Sequence, residues 1–364
     1  MSDEPVPPGA GTGTAEPRAS SPTSTALLEL GDIVRWFPVR AGSVEPGGRR
    51  QVRAVDGVSL EINPGETLGL VGESGCGKST LARCAARLQE LTSGTVRFSG
   101  DDISRLSAHR LRPYRRKIQM VFQDPIGSLN PRRRVGSIIA EPLIIHRIGD
   151  RSERRDRVRH LMEIVGLNPE HFNRFPGEFS GGQRQRIGIA RALAVEPQLI
   201  ICDEPVSALD VSIQAQIVNL LRDLQAQLSL TYLFIAHDIS VVEHMSDRIA
   251  VMYLGKIVEL GTTEQVMTRG RHPYSLALLS ALPIADPEVE AKRRRVILRG
   301  DAPSPVDPPS GCRFRTRCPV VQERCAEEEP VLHACPGDPA DHLVACHFPL
   351  GDDESLTSDG RVPK

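Results

Sequence analysis

Aromatic residues are scarce in this chain, at 4% with a single tryptophan. Single-stranded nucleic-acid binders stack bases on aromatic side chains, and there is little material here for such a platform. Charge of one sign is also missing: 45 Lys and Arg face 46 Asp and Glu, a net of −1. Neutralising a nucleic-acid backbone needs a basic face, so this balance argues against nucleic acid as a partner. No apolar run approaches the ~18 residues of a membrane span. The N-terminus, MSDEPVPPGAGTGTAEPRASSPTST, begins acidic and lacks the apolar stretch of a secretory signal. Together these absences lead us to expect a cytoplasmic chain.

The chain has 364 residues, enough for one large domain with appendages or for two domains. Apolar residues at 40% and charged residues at 25% are ordinary for a globular protein. Residues 1–25 hold five prolines with many Gly, Ser and Thr, which predicts a disordered tail. From 27–37 onward, strand-like runs appear at 52–62, 66–71, 95–98, 118–122, 198–204, 231–237 and 248–260. Helical patterns occupy 79–88, much of 134–178, and 211–228. Such alternation predicts an α/β domain with a largely parallel sheet. Composition shifts near residue 284 to a charged and then Pro-rich stretch, followed by a cysteine-rich segment and a polar tail. The expected organisation is therefore a tail (1–25), a main domain (26–284), a linker with a Cys-rich region (285–349) and a second tail (350–364).

Residues 72–80, GESGCGKST, fit G-x-x-x-x-G-K-[ST] between an apolar strand and a helix. Glycines let backbone N–H groups converge on phosphate oxygens, and the helix N-terminus adds a positive dipole end. Gly72, Glu73, Ser74, Gly75, Cys76, Gly77, Lys78, Ser79 and Thr80 form this candidate loop. Lys78 would reach the β- and γ-phosphates, and Ser79 would ligate Mg²⁺. Downstream, LIICDEP ends an apolar strand in Asp203 and Glu204. Two carboxylates there are costly unless a cation or a reacting water uses them. Asp203 suits the Mg²⁺ shell and Glu204 suits polarising water.

Between these motifs lies SGGQRQR (180–186), preceded by Glu178 and Phe179. It resembles the signature motif of ATP-binding cassette (ABC) proteins. Gln123 in VFQDP resembles that family's Q-loop, Asp210 in SALD its D-loop, and His237 in AHD its switch histidine. Phe37 aligns with the aromatic that stacks on adenine, although Trp36 stands beside it. SLNPRRRV (128–135), RFPGEFSGGQRQRI and GDAPSPVDPPSGCRFRTRCP narrow the resemblance to the ATPase subunits of oligopeptide/dipeptide permeases, the F-type more than the D-type.

The resemblance implies an ABC nucleotide-binding fold: a RecA-like parallel core, an antiparallel β subdomain, and a helical subdomain at about 126–178 that contacts membrane subunits. It implies an ATPase with ATP and Mg²⁺ as cofactors, Mg²⁺ being held by Ser79, Gln123 and Asp203. Catalysis falls to Glu204, His237 and Lys78. Ser180, Gly181, Gly182 and Gln183 would close on ATP bound by a second, homologous ATPase subunit. Two permease subunits and an external solute-binding protein complete the implied assembly, on the cytoplasmic face of the membrane. The carried substrate stays open between peptides and other small solutes such as a nickel complex. A soluble ABC protein acting on ribosomes or DNA, and a metal-dependent regulatory module, are the competing readings.

Five of the eight cysteines crowd near the C-terminus. Cys312, Cys318, Cys325 and Cys346 stand at C-x5-C-x6-C-x20-C, with Cys335 as a fifth candidate. Thiolates at short spacing in a reducing compartment favour a soft metal site. The expectation is a [4Fe–4S] cluster, with Zn²⁺ or unliganded thiols as alternatives. His333, His342 and His347 are possible substitutes. Cys84 and Cys202 read as small buried apolar residues.

Overall fold

The computed structural model describes residues 26–39, 50–207, 209–281, 298, 300–335 and 337–351. The expectations for 1–25, for most of the linker and for the end of the polar tail lie outside these residues.

Strands β1 (Leu28–Pro38), β2 (Gln51–Ile62), β4 (Ser93–Phe98) and β5 (Asp101–Asp102) form an antiparallel sheet in the order β2-β1-β4-β5. A second sheet of eight strands carries the candidate site. Its parallel part runs β9-β3-β8-β7-β6, from β3 (Thr67–Val71), β6 (Ile118–Val121), β7 (Leu199–Asp203), β8 (Thr231–Ile235) and β9 (Arg248–Tyr253). Every residue of β3, β7 and β8 is buried. Parallel strands covered on both faces read as continuous apolar runs, which is why periodicity there is weak. The two faces still separate by alternation. Leu199, Ile201, Leu233 and Ile235 join one core with β1 and β2. Ile200, Cys202, Tyr232 and Phe234 join another beneath the helices.

Helix α1 (Lys78–Ala85) leaves the end of β3. Helix α2 (Ala108–Lys117) lies outside the helical patterns expected from sequence. It contains Pro113 and only one buried residue, Leu111, so it offers no apolar stripe to read. The helical region holds α3 (Pro125–Ser128), α4 (Val135–Ile145), α5 (Arg151–Ile164) and α6 (Gly181–Leu193). Beyond it come α7 (Val211–Leu228), α8 (Ile239–Met245), α9 (Thr263–Thr268) and α10 (Pro273–Ser280).

The run 248–260 is not one strand. It is a hairpin of β9 and β10 (Lys256–Thr262) through Leu254 and Gly255, at φ 43° and 83°. Strand β10 then accepts β12 (Leu343–Val344) from the Cys-rich segment, and β12 pairs with β11 (His333–Ala334). The C-terminal segment is thus part of the same sheet, and that sheet is mixed.

A buried polar staple holds this junction. Glu259, fully buried, accepts the amides of Arg271 (2.7 Å) and His272 (3.0 Å) and lies 2.9 Å from His342 Nε2. Arg271 donates twice to Asp338, at 2.7 and 2.6 Å, and His342 Nδ1 lies 3.1 Å from Asp338. Burial disfavours the His342 cation, but Glu259 and Asp338 outweigh burial and the opposing Arg271, so its pKa is raised. A raised folded pKa gives stability that is complete below the unfolded value and is lost as pH rises through the folded value. The thermal-stability gap between the native chain and His342→Gln should therefore be largest below about pH 6.5 and shrink above it. A gap that widens with rising pH in melting curves would reverse this sign.

Candidate active site

The phosphate-type loop is a turn forced by its surroundings. A Cβ on Gly77 (φ 113°) would sit 2.0 Å from the Ala54 carbonyl oxygen, and one on Gly72 would sit 2.1 Å from that of Met252. The loop is therefore pressed between β2 and β9. Lys78 is buried, and its Nζ donates to the carbonyls of Gly72 (2.7 Å) and Glu73 (3.0 Å). This aims the ammonium along the loop rather than into solvent. Ser74 and Gly75 are exposed at the rim, and Ser79 and Thr80 open α1 half-buried. Cys76 faces inward beside Lys78, and burial pushes its thiol pKa up.

Strand β7 brings the carboxylates to this loop. Ser79 Oγ donates to Asp203 Oδ1 at 2.7 Å. Burial raises the pKa of Asp203, and the Ser79 bond and nearby Arg83 oppose that rise. Glu204 adopts φ 48°, a left-handed conformation that costs a non-glycine residue about 1–3 kcal/mol. Its carboxylate accepts from Gln123 Nε2 at 2.8 Å and lies 3.6 Å from His237 Nδ1. Gln123 comes after β6 and His237 after β8, so three strand ends converge on one carboxylate.

The signature residues sit elsewhere. Ser180 caps α6 reciprocally with Gln183: Ser180 N donates to the amide oxygen at 3.0 Å, and Gln183 N donates to Ser180 Oγ at 3.3 Å. Gly182 permits the close approach of α7, because a Cβ there would lie 2.4 Å from Ile213 Cγ2. Gly181 and Ser180 are exposed, as is Asp210, which precedes α7. Ala208 of the D-loop lies outside the described residues. Among the described residues, no hydrogen bond or ion pair joins Ser180–Gln183 to the loop 72–80. Phe37 and Trp36 are both half-buried on β1. Arg35 lies 4.5 Å over the Phe37 ring, while Trp36 Nε1 donates to Asp56 at 3.0 Å.

The cysteines require a correction. The expected [4Fe–4S] cluster, or Zn²⁺, at Cys312, Cys318, Cys325 and Cys346 is not supported. Among the described residues, no group of three or more His, Cys, Asp or Glu is arranged to hold a metal ion. Cys312 and Cys325 instead join the main apolar core, and Cys318 packs against it. Cys335 and Cys346 pack with Val344. Burial pushes the Cys318 and Cys346 thiols up to about 12. The short spacing belongs to a folded apolar knot rather than to a ligand set.

The ABC transporter family model matches residues 55–207, and the model for the oligopeptide/dipeptide transporter C-terminal region matches 258–325. The oligopeptide transport ATP-binding protein AppF of Bacillus subtilis is 53% identical over 326 residues, covering 88% of this chain and 97% of AppF. The chain belongs to the ATP-binding subunits of the oligopeptide/dipeptide permease family of ABC transporters. OppF of Salmonella typhimurium is 53% identical over 324 residues, covering 88% of this chain and 95% of OppF. The dimeric ATP-binding cassette MJ0796, solved with ADP and Pi, aligns at TM-score 0.58 and 30% identity over 65% of this chain and 98% of its own. This ABC-type ATPase thus has the RecA-like core and helical region of its family.

Sequence patterns missed the residues that brace the ATPase loop from behind. Tyr274 Oη accepts the Glu73 amide at 2.8 Å, and Arg317 Nη1 donates to Glu73 Oε2 at 2.8 Å. Nothing in the local sequence marks either residue, because the partners are 201 and 244 positions apart. The clash at Gly77 gives a direct test of loop packing. Gly77→Ala should lower unfolding free energy by about 1–3 kcal/mol, read as a lower urea midpoint with unchanged m-value. An unchanged midpoint would show that the turn is not constrained.

Proposed function

We propose that this ATPase powers import of peptides through partner membrane subunits, by closing head to tail with a second, homologous ATPase subunit on bound ATP. The convergence of Gln123 and His237 on Glu204 at the end of β7 carries the catalytic reading. Backbone amides of 72–80 and Lys78 bind the β- and γ-phosphates, and Glu204 takes up a proton from the attacking water. His237 orients that water and the γ-phosphate. The Ser79–Asp203 pair fits Mg²⁺, with Gln123 nearby, because this ion takes few protein ligands and relies on phosphate and water. Mg²⁺ would supply charge stabilisation to the transferring phosphoryl group.

The start of α6, where Ser180, Gly181 and Gln183 are exposed, offers helix-terminal amides to a nucleotide. With no bond to the loop of its own chain, it suits the γ-phosphate on a second subunit. Phe37 is the proposed adenine platform, and Asp210 lies where the two ATPase subunits meet. For the membrane partners, a groove of about 430 Å³ is lined by Leu88, Phe122 and Ile145, adjoining Gln123. Among the described residues no helix is long and apolar enough to cross a membrane, which agrees with peripheral attachment to permease subunits. Peptide as cargo is supported by the similarity to AppF and OppF, both oligopeptide transport ATP-binding proteins. An external solute-binding protein would deliver it.

Glu204→Gln should keep ATP binding and lower turnover by roughly 10²–10⁴-fold. Phosphate release and equilibrium binding, measured side by side, check both halves. Near-native hydrolysis by this variant would remove Glu204 as the base.

A further inference from the structure

The ATP loop is held by the far end of the chain as well as by its own core. Arg317 is 9% exposed and Glu73 29%, so their ion pair is largely shielded from water. Four residues earlier, Arg313 donates to the Leu254 carbonyl and pairs with Asp56. The other Asp56 oxygen accepts from Trp36, the neighbour of Phe37. Between the two arginines, Phe314 is buried against Tyr253 (5.2 Å between ring centres) and Tyr274 (5.4 Å). The Tyr274 hydroxyl, in turn, takes the Glu73 amide. The Arg53 amide donates to the Pro305 carbonyl at 2.9 Å, tying β2 to the same C-terminal segment.

Glu73 is therefore fixed at two atoms. Arg317 holds its carboxylate, and Tyr274, backed by Phe314, holds its amide. The carboxylate also belongs to a loop built for a polyanion. An unneutralised Glu73 would repel the triphosphate, and a buried guanidinium beside it cancels that charge. Loops that bind phosphate work by preorganised amides, and a misplacement of about 1 Å can cost on the order of 10²-fold.

We propose that Arg317 is a positioning residue of the nucleotide site: it neutralises and anchors Glu73, so that the C-terminal segment sets the affinity of the phosphate loop for ATP. This rests on the reading of residues 72–80 as the ATP seat. The experiment uses the full chain, Mg²⁺ and a fluorescent ATP analogue, with ATPase kinetics and melting curves in parallel. Arg317→Gln should weaken binding roughly tenfold, raise KM for ATP by a similar factor, and leave kcat at saturation nearly unchanged. Arg317→Lys, which keeps the charge, should restore most of the affinity. In the double variant Arg317→Gln with Glu73→Gln, the repelling carboxylate is gone, and binding should recover relative to Arg317→Gln alone.

Native affinity in a folded Arg317→Gln would overturn the proposal, as would a double variant that binds no better than the single one. A loss in Arg317→Lys as large as in Arg317→Gln would equally overturn the charge argument. Lys78→Ala separates the two levels. Lost binding there upholds the ATP seat, whatever Arg317 does; native binding would remove the seat and the proposal together.

Discussion

Parallel pairing of β3, β8 and β7 is the constraint on which the site depends. Parallel strands end on the same side, so the segments leaving them are delivered to one place. The loop after β3, the Asp203–Glu204 pair closing β7 and His237 after β8 meet there without long-range guidance from their side chains. The strand bodies are buried on both faces and carry no charge of their own. Polar chemistry is thus confined to the rim, where Lys78 and Asp203 are buried yet partnered. Unpaired, either would cost far more than the fold could recover.

The same constraint explains what was legible in sequence. Strands β3, β7 and β8 announce themselves as short apolar runs, and the functional residues come directly after each. Motif and element are adjacent there, so reading one reads the other. The Leu254–Gly255 turn was not legible, because leucine stands where Asn or Asp would signal a tight hairpin. Helix α2 escaped because one buried leucine is no stripe. The contacts of Arg317 and Tyr274 could not be read at all, since nothing periodic connects residues more than two hundred positions from Glu73.

The cysteines show the opposite failure. Their spacing was clear, and the chemistry drawn from it was wrong. Cysteine is both a metal ligand and a small apolar residue, and spacing does not choose between these. Packing does: Cys312 and Cys325 lie within the main apolar core, and Cys346 packs with Val344 and Cys335. The family assignment never depended on them. It stands on relatives matched along nearly their whole length, and the C-terminal family match holds irrespective of metal.

The addition of β12 to β10 has a consequence for how the chain is made. Strand β10 is paired with β9 on one side, and among the described residues its other side is closed by β12, near position 344. During synthesis that side stays open until residues 343–344 have left the ribosome. An unpaired strand edge is a template for association with other chains. Residues 343–344 therefore seal the sheet, and a transcript cut short before them would yield an ATPase with a sticky flank.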